Sequence, residues 1–170
     1  MILIISVFLV LFVESNKLPK AYPSRMVSYP MRLGPSEDIL QTFVEFVQAN
    51  KLRAVTIQAI VGSVKRAILR LANQDQNTIF DSGTYEIVSL VGTISANYNE
   101  TTREFSDIIP HVHLSISDGK TGQTFGGHMM FGCIVYTTAE IVLNELVDVY
   151  FEREIDPNTG YDELVIIPRN

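Results

Sequence analysis

Residues 111–117 read His-Val-His-Leu-Ser-Ile-Ser, polar and apolar side chains in strict alternation. That period of two belongs to a strand with one face in a core and the other outside it. Asp118-Gly119 follows, a dipeptide suited to a hairpin turn, and Gly122 adds a second flexible position. A returning strand then carries Gln123 to Met130. All three histidines of the chain, His111, His113 and His128, fall in this hairpin. Side chains at i and i+2 of a strand share a face, so His111 and His113 point the same way. A two-residue turn pairs Ser117 with Lys120, and a four-residue loop pairs it with Gly122. Both registers bring His128 to the face of His111 and His113, and the longer loop sets it directly opposite His111. A slip of one residue, or a bulge at Gly126-Gly127, reverses that parity.

Neutral imidazole is the commonest protein ligand of transition metals. Three on one face read as a metal site with an open fourth position, as in catalytic zinc centres. The competing reading is three ordinary strand histidines, packed or solvated.

The rest of the chain reads as many strands and about one long helix. Gly34-Pro35-Ser36-Glu37-Asp38 is a helix start, with Ser36 as the cap and two carboxylates near the positive end of the dipole. Ile39, Leu40, Phe43, Val44 and Val47 then repeat at helical spacing, and Asn50 can end the helix. Residues 52–60 and 64–71 read as two strands interrupted at Gly62. Residues 73–83 are polar and read as a flexible loop. Tyr85 to Ser95 alternates, and residues 96–102 turn. Residues 123–136 read as one returning strand. Thr137 to Phe151 is ambiguous: its β-branched and aromatic content favours strand, yet Ala139 to Leu146 is compatible with helix. Asp156 to Gly160 is a turn before a closing strand at residues 164–167. No repeat, heptad or low-complexity tract is present.

With 170 residues, 46% of them apolar, the chain is long enough for one domain with a real core. A formal net charge of −6 disfavours a sequence-independent grip on nucleic acid, which needs lysine and arginine to displace phosphate counterions. A single cysteine, Cys133, excludes an intramolecular disulfide and reads as a buried small hydrophobe. Ile2 to Val13 is an unbroken apolar run. It is too short for a bilayer, which takes ~20 residues. It suits the core of a signal peptide cleaved after Ser15, although no lysine or arginine precedes it. The expected division is therefore a signal peptide at 1–15, an extended arm at 16–29 and one domain at 30–168. Asn99-Glu100-Thr101 is a glycosylation sequon, compatible with secretion or an endomembrane lumen; without cleavage the chain would be cytoplasmic.

No phosphate-loop, dinucleotide-binding or nucleophile-elbow motif occurs. Lys51, Arg53, Lys65, Arg66 and Arg70 read as a solvated basic face, with an anion site as the alternative. Glu86 and Glu140 lie in apolar, strand-like segments. As buried carboxylates they would need partners or shift their pKa. They are the candidates for a general base or a partner beside a metal, against ordinary exposed positions. Arg32 and Arg153 are possible ion-pair partners.

Six segments resemble the PPC (plants and prokaryotes conserved) domain family. They are MRLGPSED, IVGSVKRAILRLAN, YEIVSLVGTIS, HVHLSISDGKTGQTFGGHM, VYTTAEIVLNEL and FEREIDPNTGYDEL. The resemblance runs from about Arg32 to Val165. It implies an α+β fold, a single compact domain with a curved, mainly antiparallel sheet and one long helix, assembled as a homotrimer. It also implies a zinc site on His111, His113 and His128, and a fold similar to acetolactate decarboxylase, a zinc enzyme. Plant members enter the DNA minor groove with an Arg-Gly-Arg-Pro motif, which this chain lacks, so DNA binding is not carried over. The Gly-Glu that opens many members is replaced here by Gly34-Pro35-Ser36-Glu37. The functions that follow are a zinc-dependent hydrolase or lyase acting on a small carbonyl compound, or a non-catalytic homotrimeric module with a structural or regulatory metal. A DNA-associated regulator ranks last, and no stable membrane span is expected.

Overall fold

A computed structural model describes residues 19–99 and 101–169; the proposed signal peptide lies outside them. In chain order the elements are β1 (Met26–Leu33), α1 (Ile39–Asn50), β2 (Ala54–Arg70), β3 (Asn77–Phe80) and β4 (Tyr85–Asn99). They are followed by β5 (Glu104–Asp118), β6 (Thr124–Met129), β7 (Ile134–Leu146), β8 (Val149–Ile155) and β9 (Asp162–Pro168). The main sheet runs β1-β7-β2-β4-β5-β6, with β3 added to β2, and a separate hairpin pairs β8 with β9. Every pairing among these strands is antiparallel.

The long strand β2 organises the sheet. Its first part lies between β4 and β7, and its last residues reach β3 and β6. The strands β2, β4, β5 and β6 therefore pair in a closed ring. Register shifts in β2 against β7 occur at Ile57/Ala59, Gly62/Val64 and Val64/Arg66. Such irregularities bend a strand and raise its twist, which turns the end of β2 towards β6. Gly62 thus bends one strand where two separate strands are expected from sequence. The segment 73–83 is also not all loop, since β3 occupies part of it. Thr137 to Leu146 is strand, because β7 is hydrogen-bonded on both sides, to β1 and to β2. The arm is partly strand as well: Met26 to Tyr29 pair with Leu146 to Leu143.

Helix α1 has 12 residues, an ordinary rather than a long helix. Its N-cap is Asp38, not Ser36: the Asp38 carboxylate accepts from Gln41 N at 3.2 Å and from Gly132 N at 2.6 Å. Ser36 instead takes a left-handed conformation, and its hydroxyl accepts from Lys65 Nζ at 2.8 Å. In the same loop the Glu37 carboxylate accepts from the Gly34 N–H. At the other end, Lys51 is left-handed and its N–H returns to the carbonyls of Gln48 and Val47. Ile39, Leu40, Phe43 and Val47 are buried and join the core with Val112, Leu114 and Ile116 of β5. Each such side chain contributes roughly 1.5–3 kcal/mol of transfer free energy.

The β8–β9 hairpin docks through a smaller cluster of Ala54, Val149 and Phe151. Arg53 fastens it. This residue is buried, contrary to the solvated face expected for it, because aromatic rings cover its guanidinium. The group lies 4.1 Å from the Tyr150 ring centre and 4.9 Å from that of Tyr98. It also approaches Glu152 at 3.9 Å and donates to Ala96 O. Lys51, Lys65, Arg66 and Arg70 are exposed.

Candidate metal centre

The histidine site begins with the hairpin turn. Asp118 Oδ1 accepts from Lys120 N at 2.9 Å, Thr121 N at 2.8 Å and Thr121 Oγ1 at 3.0 Å. The bonds from Thr121 and Lys120 hold the Asp118 carboxyl below its ordinary value. Gly122 supplies the left-handed residue, and its N–H closes on Asp118 O at 2.8 Å. Ser117 pairs with Thr124, which leaves residues 118–123 as the loop. The loop is longer than either expected register, but the added length is even, so parity survives. His128 stands opposite His113, not His111. Alternation then sends Val112, Leu114 and Ile116 into the core and the histidines to the other face.

On that face the three rings converge. Their centres are 5.4 Å apart for His111–His113, 5.2 Å for His111–His128 and 5.7 Å for His113–His128. One ligand atom from each falls within 4.8 Å of the others. Tetrahedral zinc with bonds of ~2.0–2.1 Å separates its nitrogens by ~3.3 Å, which modest rotations of the rings reach. His111 and His113 are exposed and His128 half-buried, so a ligand can approach from solvent.

The surroundings favour the neutral imidazole at His111 and His128. Burial pushes His128 down to about 4, helped by Arg70, His111, His113 and Arg153. His111 is lowered too, first by burial and then by Arg153 and His113, with Glu163 opposing. A neutral nitrogen is the form that binds metal, so the donor set fits a divalent ion such as zinc.

Two glycines allow the strands to meet here. A Cβ on Gly92 would lie 2.2 Å from His111 O, and φ of +159° disfavours any other residue there. A Cβ on Gly127 would lie 2.9 Å from Arg70 O, across the contact of β6 with β2. The Gly126-Gly127 pair thus serves close approach, and the β5–β6 register runs through it without a shift.

Glu86 and Glu140 are not brought to the histidines. Glu86 is exposed opposite Ser63 and Ser117. Ser117 is four positions from His113, ~13 Å at the usual strand rise. Glu140 is exposed on β7, between Arg32 and Val61. Asn99 is exposed at the end of β4, where its side-chain oxygen accepts from the N–H groups of Thr101 and Thr102. Cys133 is buried as expected, although it lies in the break between β6 and β7 rather than on one returning strand. Burial pushes its thiol up to about 11, which makes it a poor nucleophile.

Sequence reasoning missed the role of three other residues. Arg70 is the direct partner of His128 on β2. Arg153 of β8 donates to Thr93 Oγ1 at 3.3 Å, and Thr93 is the partner of His111 on β4. Glu163 of β9 acts on His111 electrostatically. The apolar alternation of β2 and β8 signals strands, but not which distant strand each will meet. Arg32, the other arginine considered for an ion pair, donates to Thr138 Oγ1 at 3.0 Å.

A seven-stranded antiparallel sheet with one helix and three convergent imidazoles defines an α+β protein with a candidate metal centre. Residues 20–147 match the model of the Plants and Prokaryotes Conserved (PCC) domain, and the chain belongs to that family. It is 38% identical over 146 residues to the bifunctional protein GlmU of Synechococcus sp. strain JA-2-3B'a(2-13), covering 86% of this chain but 21% of the relative. The chain thus spans about a fifth of the length of the curated relatives it matches. A hypothetical protein from Salmonella is 38% identical with a TM-score of 0.77, over 88% of this chain and 99% of that one. A metal-containing protein from Archaeoglobus fulgidus, 22% identical, shares the fold with a TM-score of 0.70 over 86% of this chain and 99% of its own. A third structure, named as a candidate DNA-binding protein of Bacteroides thetaiotaomicron, is 18% identical (TM-score 0.65), over 81% of this chain and 91% of its own. Among the described residues, no helix is long and apolar enough to cross a membrane.

Proposed function

We propose that this chain is a metal-binding PCC-domain protein in which His111, His113 and His128 hold one zinc ion and leave a position open to an exogenous ligand. The observation that carries this is the convergence of all three histidines, ligand atoms within 4.8 Å, on one accessible face. Zinc bound there would supply Lewis acidity, polarising a carbonyl or lowering the pKa of a water. The metal content of protein purified without added metal is the test. About one zinc per chain is expected, lost when any one of the three histidines becomes alanine. Metal-free protein that takes up no zinc at neutral pH would refute the reading.

The open position favours a second reading, a hydrolase or decarboxylase-like lyase acting on a small carbonyl compound. Neither Glu86 nor Glu140 stands at the cluster to act as a base, so the first reading is the stronger. An ester and keto-acid screen of the zinc-loaded protein separates them, since turnover abolished by His113→Ala requires catalysis.

Self-assembly as a homotrimer belongs to the same proposal. Met26, Val27 and Val61 are exposed apolar side chains on β1 and β2 that a neighbouring copy could cover. Light scattering at three times the chain mass supports this, and a monomer that keeps its zinc speaks against it. The net charge and the missing Arg-Gly-Arg-Pro motif leave DNA binding last. DNA binding at physiological ionic strength would restore it. If the leader is cleaved, the exposed Asn99 is a glycosylation acceptor, and a mass shift with glycosidase would reveal it.

A further inference from the structure

The face that carries the histidines also carries two arginines, placed on opposite sides of the cluster. Arg70 is exposed and is the direct strand partner of His128, where facing Cβ atoms lie ~4.5–5.5 Å apart. Among the described residues Arg70 makes no ion pair. On the other side, beyond His111, stands Arg153. It comes from the β8–β9 hairpin, past the residues 20–147 matched to the family. Its guanidinium is fixed in place: Nη2 donates to Thr93 Oγ1 at 3.3 Å, Nε to Ser95 Oγ at 3.4 Å and Nη1 to Asp162 O at 3.1 Å. A guanidinium has five N–H groups, so two remain for a ligand.

We propose that Arg70 and Arg153 form an oxyanion subsite around the three-histidine centre, selecting a small carboxylate- or phosphate-bearing ligand for the open metal position. This rests on the metal reading above and adds the ligand class. The charges support it. Glu163 and Asp162 offset the two guanidiniums, so the rim is neutral before a metal binds and positive by two with a divalent ion. The chain as a whole carries −6. Charge-assisted, forked hydrogen bonds are the strong way to hold carboxylate or phosphate, and a half-buried Arg153 is screened less than a surface one. The side chain is also pre-positioned, so little ordering cost falls on binding.

The experiment uses the full chain loaded with Co2+, whose visible absorption reports on ligands at the open position. Oxalate, inorganic phosphate and the neutral analogue acetamide are titrated separately. Wild type is expected to bind one or both oxyanions at least tenfold more tightly than acetamide, and the preferred oxyanion names the ligand class. Arg153→Gln and Arg70→Gln should each weaken that binding about tenfold, equivalent to about 1.4 kcal/mol, with cobalt affinity within about twofold of wild type. Arg70 is exposed, so Arg70→Gln keeps the test decisive if Arg153→Gln loosens the hairpin. Cobalt uptake with oxyanion affinity unchanged in both variants would overturn the subsite alone. Failure to take up cobalt would overturn the metal reading and the subsite together.

Discussion

Gly127 links the fold to the candidate metal centre, and Gly127→Ala is the most informative single change. The added methyl would lie 2.9 Å from Arg70 O, 3.2 Å from Leu71 Cδ2 and 3.5 Å from Arg70 C. Ordinary contacts of a Cβ begin near 3.4 Å, so β6 and β2 must part by about 0.5 Å. The nearest obstacle is backbone, which cannot turn aside as a side chain can. Overpacking of this kind costs about 1–3 kcal/mol. His128 is the next residue on β6, so it moves with the strand. Metal–ligand distances tolerate about 0.2 Å, so a shift of 0.5 Å weakens zinc on the order of 10- to 100-fold. Gly122→Ala is the control. It sits in the hairpin turn at φ +72° with nothing within 4 Å of the added methyl. It should cost about 1–2 kcal/mol through its backbone conformation and leave zinc affinity unchanged. Urea denaturation of the metal-free proteins gives the stabilities, and competition with a chromophoric chelator gives the zinc affinities. A Gly127→Ala protein that binds zinc as tightly as wild type would refute the reasoning.

Replacing His111, His113 or His128 by alanine should each weaken zinc on the order of 10²–10³-fold, since changes one shell further out already cost 10- to 100-fold; three equal chelator competitions with wild type would contradict the site. Metal-free protein should lose stability as pH falls from about 6.5 towards about 4. His128 stays neutral to about 4 in the folded chain, whereas the unfolded chain takes up its proton near 6.5, so stability is fully present above that range and is lost through it. His111 acts in the same direction. A urea midpoint at pH 5 equal to that at pH 7.5 would count against this. Phe43→Ala removes a fully buried ring from the face of α1 that packs on the sheet, and should cost about 3–5 kcal/mol by urea denaturation. A loss under 1 kcal/mol would mean that the helix is not anchored there.

Much of the site was readable along the chain. His-Val-His-Leu-Ser-Ile-Ser states its two faces without reference to any other segment, because successive side chains of a strand point to opposite sides. The apolar stripe of α1 is equally local, and all of its residues but the half-buried Val44 are buried. The local signals misled where a second partner outweighed them. Asp38 took the cap from Ser36 because its carboxylate also holds Gly132 N, residues away in sequence but adjacent in space. Residues 139–146 had enough helical character to be ambiguous, and two flanking strands made them β7.

Along the chain alone, the shared face of His111 and His113 was already decided by a period of two within one strand, whereas His128 joins them because the loop is even and the β5–β6 register runs through Gly126-Gly127 without a bulge. Which histidine faces which depended on two extra loop residues, held by the hydrogen bonds of Asp118. The arrival of Arg70 beside His128, and of Arg153 beside His111, depended on β2 bending back to β6 and on β8–β9 folding across β4. Those are contacts between segments far apart in sequence. No local preference encodes them, because they exist only after the loops between have closed and the shared core has formed.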